Sequence, residues 1–553
     1  MPRDLRLVDA VRRRSGEAQS HLIDSLVAGR IDRRDFLRQG SVLGLSLPLL
    51  GAITAGFGLG GLPRAARGAT GGTLRIGQQV PAAAVEPVSI ADTGGLILLQ
   101  QSGEFLCIDG PDLVLKPQLA LSWSPNQDGT VWTFKLRQGV KFHDGREMKA
   151  ADVVATFDRL ANPANSSNAL SVFTGVLTTG NTRAVDDYTV EFKLDAPNGN
   201  FPYLVSSDNY NAIILPADYA GDWEKTFIGT GPFRIEKFIP KVGASFVRND
   251  DYWGPKALLD RTEFTFFNDI QPQILALQGG QIDVINQLPV LAGVGLLNDP
   301  NVNIISLKAT THQQVHLRND AEPFQDPRVR RAVALCLDRA RIVQGLMKGR
   351  AQVGNDSPFA AVYPSTDPTV PQREKNLAEA KQLAEAGGLK PGTKVTLTTE
   401  RYLELPDYAV LIQNAVKEIG LEVELNVLDQ GAYYGDAVFG KSPWLDSPFG
   451  ITDYGHRGVP NVVLAAPLMS DGTWNSAHFK NAEYDQLAKS YIAALDLEGQ
   501  RAVAGKIQRL LLQETPVIFG YFYDFLTATN PKAAGVQPTA MGQLFLGEAS
   551  IAA

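Results

Sequence analysis

His312 and His316 stand four residues apart, the spacing at which one helix face presents two imidazoles to a metal ion. The surrounding residues 304–317 are rich in β-branched side chains and threonine, which favours a strand. Positions four apart share a strand face as well, and no glutamate follows the first histidine as HExxH requires. The pair therefore predicts a strand and not a metal site. His143-Asp144-Gly145 contains an acid–base pair, but aspartate followed by glycine also builds a turn, with Asp144 accepting from nearby amides. Gly229-Thr230-Gly231-Pro232 has too few glycines and no lysine for a phosphate loop. The 59 carboxylates make chance pairs unavoidable, and no GxSxG occurs. A hydrolase would need a nucleophile, a carboxylate pair or a metal, and no motif signals one. The expectation is a protein with no catalytic residue, no metal site and no cofactor. Cys107 and Cys336 are the two cysteines. They exclude a disulfide scaffold, a four-cysteine zinc site and a cysteine-ligated iron–sulfur cluster, and predict two buried free thiols.

The 553 residues suffice for several folding units. With 44% hydrophobic and 20% charged residues, the composition is that of a globular chain. A net charge of −7 argues against a nucleic-acid partner. The charge is unevenly spread. Residues 1–68 hold 11 Lys+Arg against 6 Asp+Glu, a net +5 that leaves −12 for the remainder. Arg33-Arg34-Asp35-Phe36-Leu37-Arg38 precedes an uncharged, glycine-rich apolar stretch at 39–63. Glycine makes that stretch a poor membrane anchor. The pattern resembles a twin-arginine (Tat) export signal, with small residues at 66–69 for cleavage near Ala69. Residues 1–68 are expected to lie outside the fold, and the mature protein beyond the membrane. An uncleaved membrane anchor is the alternative.

The elements that must position any site follow from periodicity. In residues 130–136 (TVWTFKL) and 188–194 (YTVEFKL), apolar and polar side chains alternate. Period two predicts half-buried strands of a sheet with one solvated face. Asp326-Pro327 opens a helix that runs to Leu337. Further helices are predicted at 376–386, 407–419 and 483–494, the first two ended by glycines. Extended pieces lie between them at 395–398 and 421–427, so the chain after 320 is read as an α/β lobe.

Several longer blocks occur in order: 117–123 (PQLALSW), 128–137 (DGTVWTFKLR), 139–145 (GVKFHDG), 229–235 (GTGPFRI), 248–254 (RNDDYWG), 276–284 (ALQGGQIDV) and 323–330 (PFQDPRVR). Asn475-Ser476 with Asn481 and Asp485 completes the set. Together they resemble the peptide/nickel-type solute-binding proteins of ABC importers, extracellular solute-binding family 5. The resemblance implies a two-lobe α/β periplasmic-binding-protein-like fold (type II, cluster C), with an extra subdomain in lobe one and two hinge crossovers. Lobe one is expected at 69–305, lobe two at 306–515, and a return to lobe one at 516–553. The implied function is an exported, periplasmic receptor that captures a peptide, or a similar polar amino-bearing solute. It would deliver this solute to membrane permease and ATPase subunits, and act as a monomer. A nickel or metal-chelate receptor of the same family is the alternative.

In the peptide-binding members, the loop matching 450–457 (GITDYGHR) carries a tryptophan and, three residues on, an aspartate that meets the ligand's α-amino group. Asp453 matches the aspartate. Gly450 stands where the tryptophan would be, a departure that puts small-peptide specificity in question. Trp444 and Tyr454 are the aromatic candidates for the cleft. From lobe one, the resemblance implies Ser89 and Asp92, in the loop after the first strand, and Glu104, beside Gln100 and Gln101.

Overall fold

The computed structural model describes residues 11, 15–56, 70–110 and 112–552. The two alternating segments form the strands Val131–Leu136 and Thr189–Lys193. They pair antiparallel, Trp132 opposite Phe192 and Phe134 opposite Val190. With Ala120–Pro125 and Thr182–Asp186 they make a four-stranded sheet. Trp132, Phe134 and Phe192 are buried, while Lys135 and Lys193 face solvent. The inner face is closed by the helix Ala150–Ala161, whose Phe157 ring meets Phe192 at 5.0 Å. This is the half-solvated sheet that alternation predicts.

Two larger sheets organise the rest. A seven-stranded sheet runs in the order Asn303–Leu307, Phe525–Thr529, Val284–Ile285, Thr73–Gln79, Arg261–Phe267, Gly243–Arg248, Phe233–Ile239. A six-stranded sheet runs Ala351–Val353, Val517–Tyr523, His312–Leu317, Phe449–Tyr454, Thr393–Glu400, Leu421–Leu428. Helices in the second half follow their predicted caps. The Asp326 side chain accepts from the Arg328 amide at the start of Pro327–Cys336. Asn376 caps Leu377–Ala386 in the same way.

The backbone passes between the two sheets at 308–311 and again at Asp524. The expected division at 305/306 falls inside the strand Asn303–Leu307, and the one at 515/516 comes one strand early. Val517–Tyr523 pairs with His312–Leu317 in lobe two and is buried along its whole length. The near-continuous apolar run from 517 to 529 hides the single polar residue where the sheets exchange. The two crossings are fastened side by side. Lys308 Nζ lies 3.0 Å from Asp524 Oδ2, the Ser306 hydroxyl donates to the same oxygen, and the Tyr523 amide donates to Thr311 O.

The N-terminal region departs furthest from expectation. Its helices Glu17–Val27, Arg33–Val42 and Leu47–Gly56 pack on the body of the protein. Leu22, Phe36, Leu43, Leu50 and Ile53 bury against one another and against Leu497. A stretch with no polar face can bury itself on protein as well as in lipid, and sequence does not distinguish the two. No described helix is long and apolar enough to cross a membrane. The expected cleavage point at 66–69 lies outside the described residues.

Candidate functional site

The strand Phe449–Tyr454 lies between His312–Leu317, antiparallel, and Thr393–Glu400, parallel. Gln313 stands opposite Asp453, and His316 opposite Gly450. Where this strand ends, a cavity of about 200 Å³ opens between the lobes. Asn168, Ser171 and Tyr210 line it from lobe one. Tyr434, Trp444, Asp453, Tyr454, Arg457 and Trp474 are among the residues lining it from lobe two.

Asp453 is the electrostatic centre of the cavity wall. Its Oδ1 accepts a 2.7 Å hydrogen bond from the Tyr523 hydroxyl. Burial is the main cause that drives its pKa up, to about 8; the Tyr523 bond opposes the rise, and the negative charges of Glu400 and Glu404 add to it. No cation stands among the groups acting on it. Glu400 accepts from the Tyr434 hydroxyl and from Gln430 Nε2, both at 2.8 Å.

The aromatic lining is continuous. The Trp444 ring meets Tyr434 at 5.3 Å and Trp474 at 6.3 Å, and Tyr454 meets Trp474 at 6.1 Å. The indole N–H of Trp444 and the hydroxyl of Tyr454 are buried, and Trp444 acts as a hydrogen-bond partner on the Tyr454 hydroxyl.

Asp453, Tyr454 and Trp444 thus converge on one cavity, whereas the three candidates from lobe one do not line it. Glu104 sits in the core of that lobe at 1% exposure. Its oxygens accept from Gln118, Thr230, Tyr252 and Trp253. Burial raises its pKa to about 7 against the pull of those four bonds. It is a structural hub. Asp92 accepts from the Gly95 amide and caps the helix Thr93–Ser102. Ser89 is exposed. Their loop still supports the cavity indirectly: Val88 O accepts from the Asn168 amide, and Pro87 O and Ile90 O accept from Asn211 Nδ2.

Tyr523, Asn168, Tyr210 and Trp474 escaped the sequence reading, and Arg457 was not singled out although it ends the 450–457 loop. The first four come from separate places in the chain, and no motif links them. Only the position of Tyr523 on the strand opposite His312 carries a hint, and reading it requires the register.

His312 and His316 lie on the predicted strand and are buried. Burial lowers both pKa values to about 4, so both rings are neutral. His143 Nε2 donates to Gly231 O at 3.0 Å, and Asp144 pairs with Arg146, as a structural turn requires. Cys107 and Cys336 are free and buried. Among the described residues, one group outside the cavity has metal-ligand residue types: Asp109, Asp208 and His456 bring their ligand atoms within 4.8 Å of one another. His456 Nδ1 accepts from the Thr310 amide, which puts the proton of the neutral ring on Nε2 and leaves no lone pair for a metal. Asp208 accepts from the Gly458 amide at 2.6 Å.

The comparisons with known proteins agree with this architecture. The family described as "Bacterial extracellular solute-binding proteins, family 5 Middle" matches residues 114–451. The chain belongs to this family. Among its relatives is the dipeptide-binding protein DppE of Bacillus subtilis, 26% identical over 472 residues, which are 79% of this chain and 84% of that protein. The oligopeptide-binding protein AppA of the same organism is 28% identical over 446 residues, 76% of this chain and 80% of the relative. Among solved structures, the periplasmic binding protein DppA of Helicobacter pylori with the peptide STSA has a TM-score of 0.73 at 23% identity, covering 87% of this chain and 99% of the other. NikZ of Campylobacter jejuni with Ni(L-His) has a TM-score of 0.71 at 21% identity, covering 84% and 96%. The two-lobe α/β fold and the solute-binding class are therefore those expected from the sequence blocks.

The structure also accounts for Gly450. A Cβ there would lie 2.4 Å from His316 Cε1 and 3.0 Å from Thr398 O. The imidazole across the strand occupies the space a larger side chain would need. Gly450→Ala is expected to destabilise the protein by about 1–3 kcal/mol through overpacking. In a His316→Ala background the same change should cost less than half as much. Urea denaturation of the four variants measures this coupling, and equal costs in both backgrounds would remove His316 as the reason for the glycine.

Proposed function

We propose that this solute-binding protein is the receptor of an ABC importer and that it captures peptides, or similar amino-bearing solutes, through Asp453. The observation that carries this reading is a half-buried carboxyl group in the wall of an interlobe cavity, with a hydroxyl but no cation as partner. A ligand ammonium would supply the missing charge. Arg457, lining the same cavity, offers a partner for a carboxylate, so the lining suits a zwitterion. Trp444 and Tyr454, which line the cavity, present aromatic surface to the remainder of the ligand. Relatives named for dipeptides and oligopeptides support the peptide class. No histidine is found among the residues lining the cavity, which favours a peptide over a metal chelate. The activity is binding without turnover: closure on the ligand adds contacts that the open state lacks. A permease and an ATPase would receive the ligand, with the receptor working as a monomer beyond the membrane.

Export by the twin-arginine route is part of the proposal, resting on Arg33-Arg34 before the glycine-rich apolar stretch. Changing both to lysine keeps the charge and should leave the precursor in the cytoplasm. Fractionation showing normal export of this double variant would rule the route out.

Asp453 makes the binding reading sharp. Losing a charge-assisted bond of roughly 1.5–3 kcal/mol should weaken peptide binding roughly 10- to 150-fold in Asp453→Asn. Acetylating the peptide's amine should cost the wild type a similar factor and the variant little. Protonation gives an independent signature. The folded carboxyl holds its proton to about pH 8. The unfolded one loses it near pH ~4, so the folded state binds more protons between these values. Its contribution to stability therefore falls as pH rises through that window. Pairing with a cation requires the ionised form, so binding at pH 7 should release a proton, and affinity should rise towards pH 8. Calorimetry of a binding di- to tetrapeptide in buffers of different ionisation enthalpy reads the proton directly. Additive losses and no proton release would return Asp453 to a structural role.

A further inference from the structure

The helix Arg33–Val42 lies in the seam between the lobes and is bonded to both. Arg38, 4% exposed, is the centre of the contact. Its Nε donates to the Tyr203 hydroxyl of lobe one at 3.2 Å. Its Nη1 donates to Val362 O of lobe two at 2.9 Å, and its Nη2 donates to Gly458 O, also of lobe two. The guanidinium carbon stands 5.8 Å from the ring centre of Tyr203 and 5.4 Å from that of Tyr363, one aromatic from each lobe. Asp109 and Asp208 of lobe one lie close enough for Arg38 to stabilise their charged forms.

The rest of the segment repeats this division. On lobe one, the Leu115 amide donates to Ser41 Oγ at 3.0 Å and Trp123 Nε1 donates to Val42 O at 2.9 Å. On lobe two, Asp35 pairs with Arg501 at 3.0 Å, Gln39 Nε2 donates to Leu495 O, and Leu497 joins the apolar cluster of the segment. The fit is close. Gly44 has φ +77°, and a Cβ there would fall 1.9 Å from Trp123 O.

We propose that the N-terminal helical segment, residues 15–56, is an intramolecular clamp that holds the lobes together for as long as it is attached. The inference is independent of the ligand reading. Opening the seam separates Tyr203 from Val362 and Gly458, so Arg38 must abandon one lobe. A buried guanidinium that loses its acceptors is strongly disfavoured, and opening is suppressed accordingly. Detachment removes the bridge and also removes the positive charge beside Asp109 and Asp208. Access to the interlobe cavity is thereby tied to loss of the segment, and a precursor stays closed until then.

The test uses the full chain without ligand. Spin labels at Lys241→Cys and Glu424→Cys, exposed positions on lobe one and lobe two, report the interlobe distance. The wild-type segment should give a single short distance. Arg38→Ala should add a longer component. The Gly458 amide, bonded across the seam to Asp208, should exchange its hydrogen about tenfold faster or more. Gly44→Ala, which leaves Arg38 intact but wedges the segment off Trp123, should produce the same longer component. This second variant decides the matter if Arg38→Ala folds poorly. Unchanged distances and unchanged Gly458 exchange would overturn the clamp and leave the segment merely packed on the surface.

Discussion

The cavity depends on one electrostatic fact: Asp453 is half-buried against a tyrosine hydroxyl and near two other acids, with no cation among the groups acting on it. Burying a lone carboxylate is costly, so the group keeps its proton until about pH 8. Such an arrangement persists where function uses it. On the proposed reading, a cationic ligand would turn the penalty into affinity by restoring the charge partner. The aromatic wall of Tyr434, Trp444, Tyr454 and Trp474 lowers the polarity around that contact, where such a pair would be stronger than in water.

The architecture delivers this carboxyl to a gap between lobes through two crossings. Both pass next to each other and are tied by Lys308, Ser306 and Asp524. Hinges placed side by side let the lobes rotate while the sheets stay intact. Asp453 and its partner Tyr523 lie at the lobe-two edge of this hinge, one residue before Asp524 in the case of Tyr523. Lobe motion and the surroundings of the acid are therefore mechanically close.

Sequence made some of this legible and hid the rest for identifiable reasons. The strands around Trp132 and Phe192 followed from alternation, and the capped helices from aspartate, proline and glycine positions. Asp453 was found because a local motif carried it. Gly450 looked like a loss of specificity, but the structure gives it a steric cause in His316, 134 positions earlier in the chain. Glu104 looked like a cleft residue because polarity in sequence does not reveal whether water or four protein donors satisfy it. The crossing at Asp524 was hidden in an apolar run. The docking of the N-terminal helices rests on contacts across hundreds of residues, with no local trace.

Native mass spectrometry of the protein purified from its own host tests the central claim most directly. The account predicts a population of complexes whose added masses fragment as short peptides with free amino termini. A co-purified metal chelate, or a solute without a positively charged nitrogen, would contradict it.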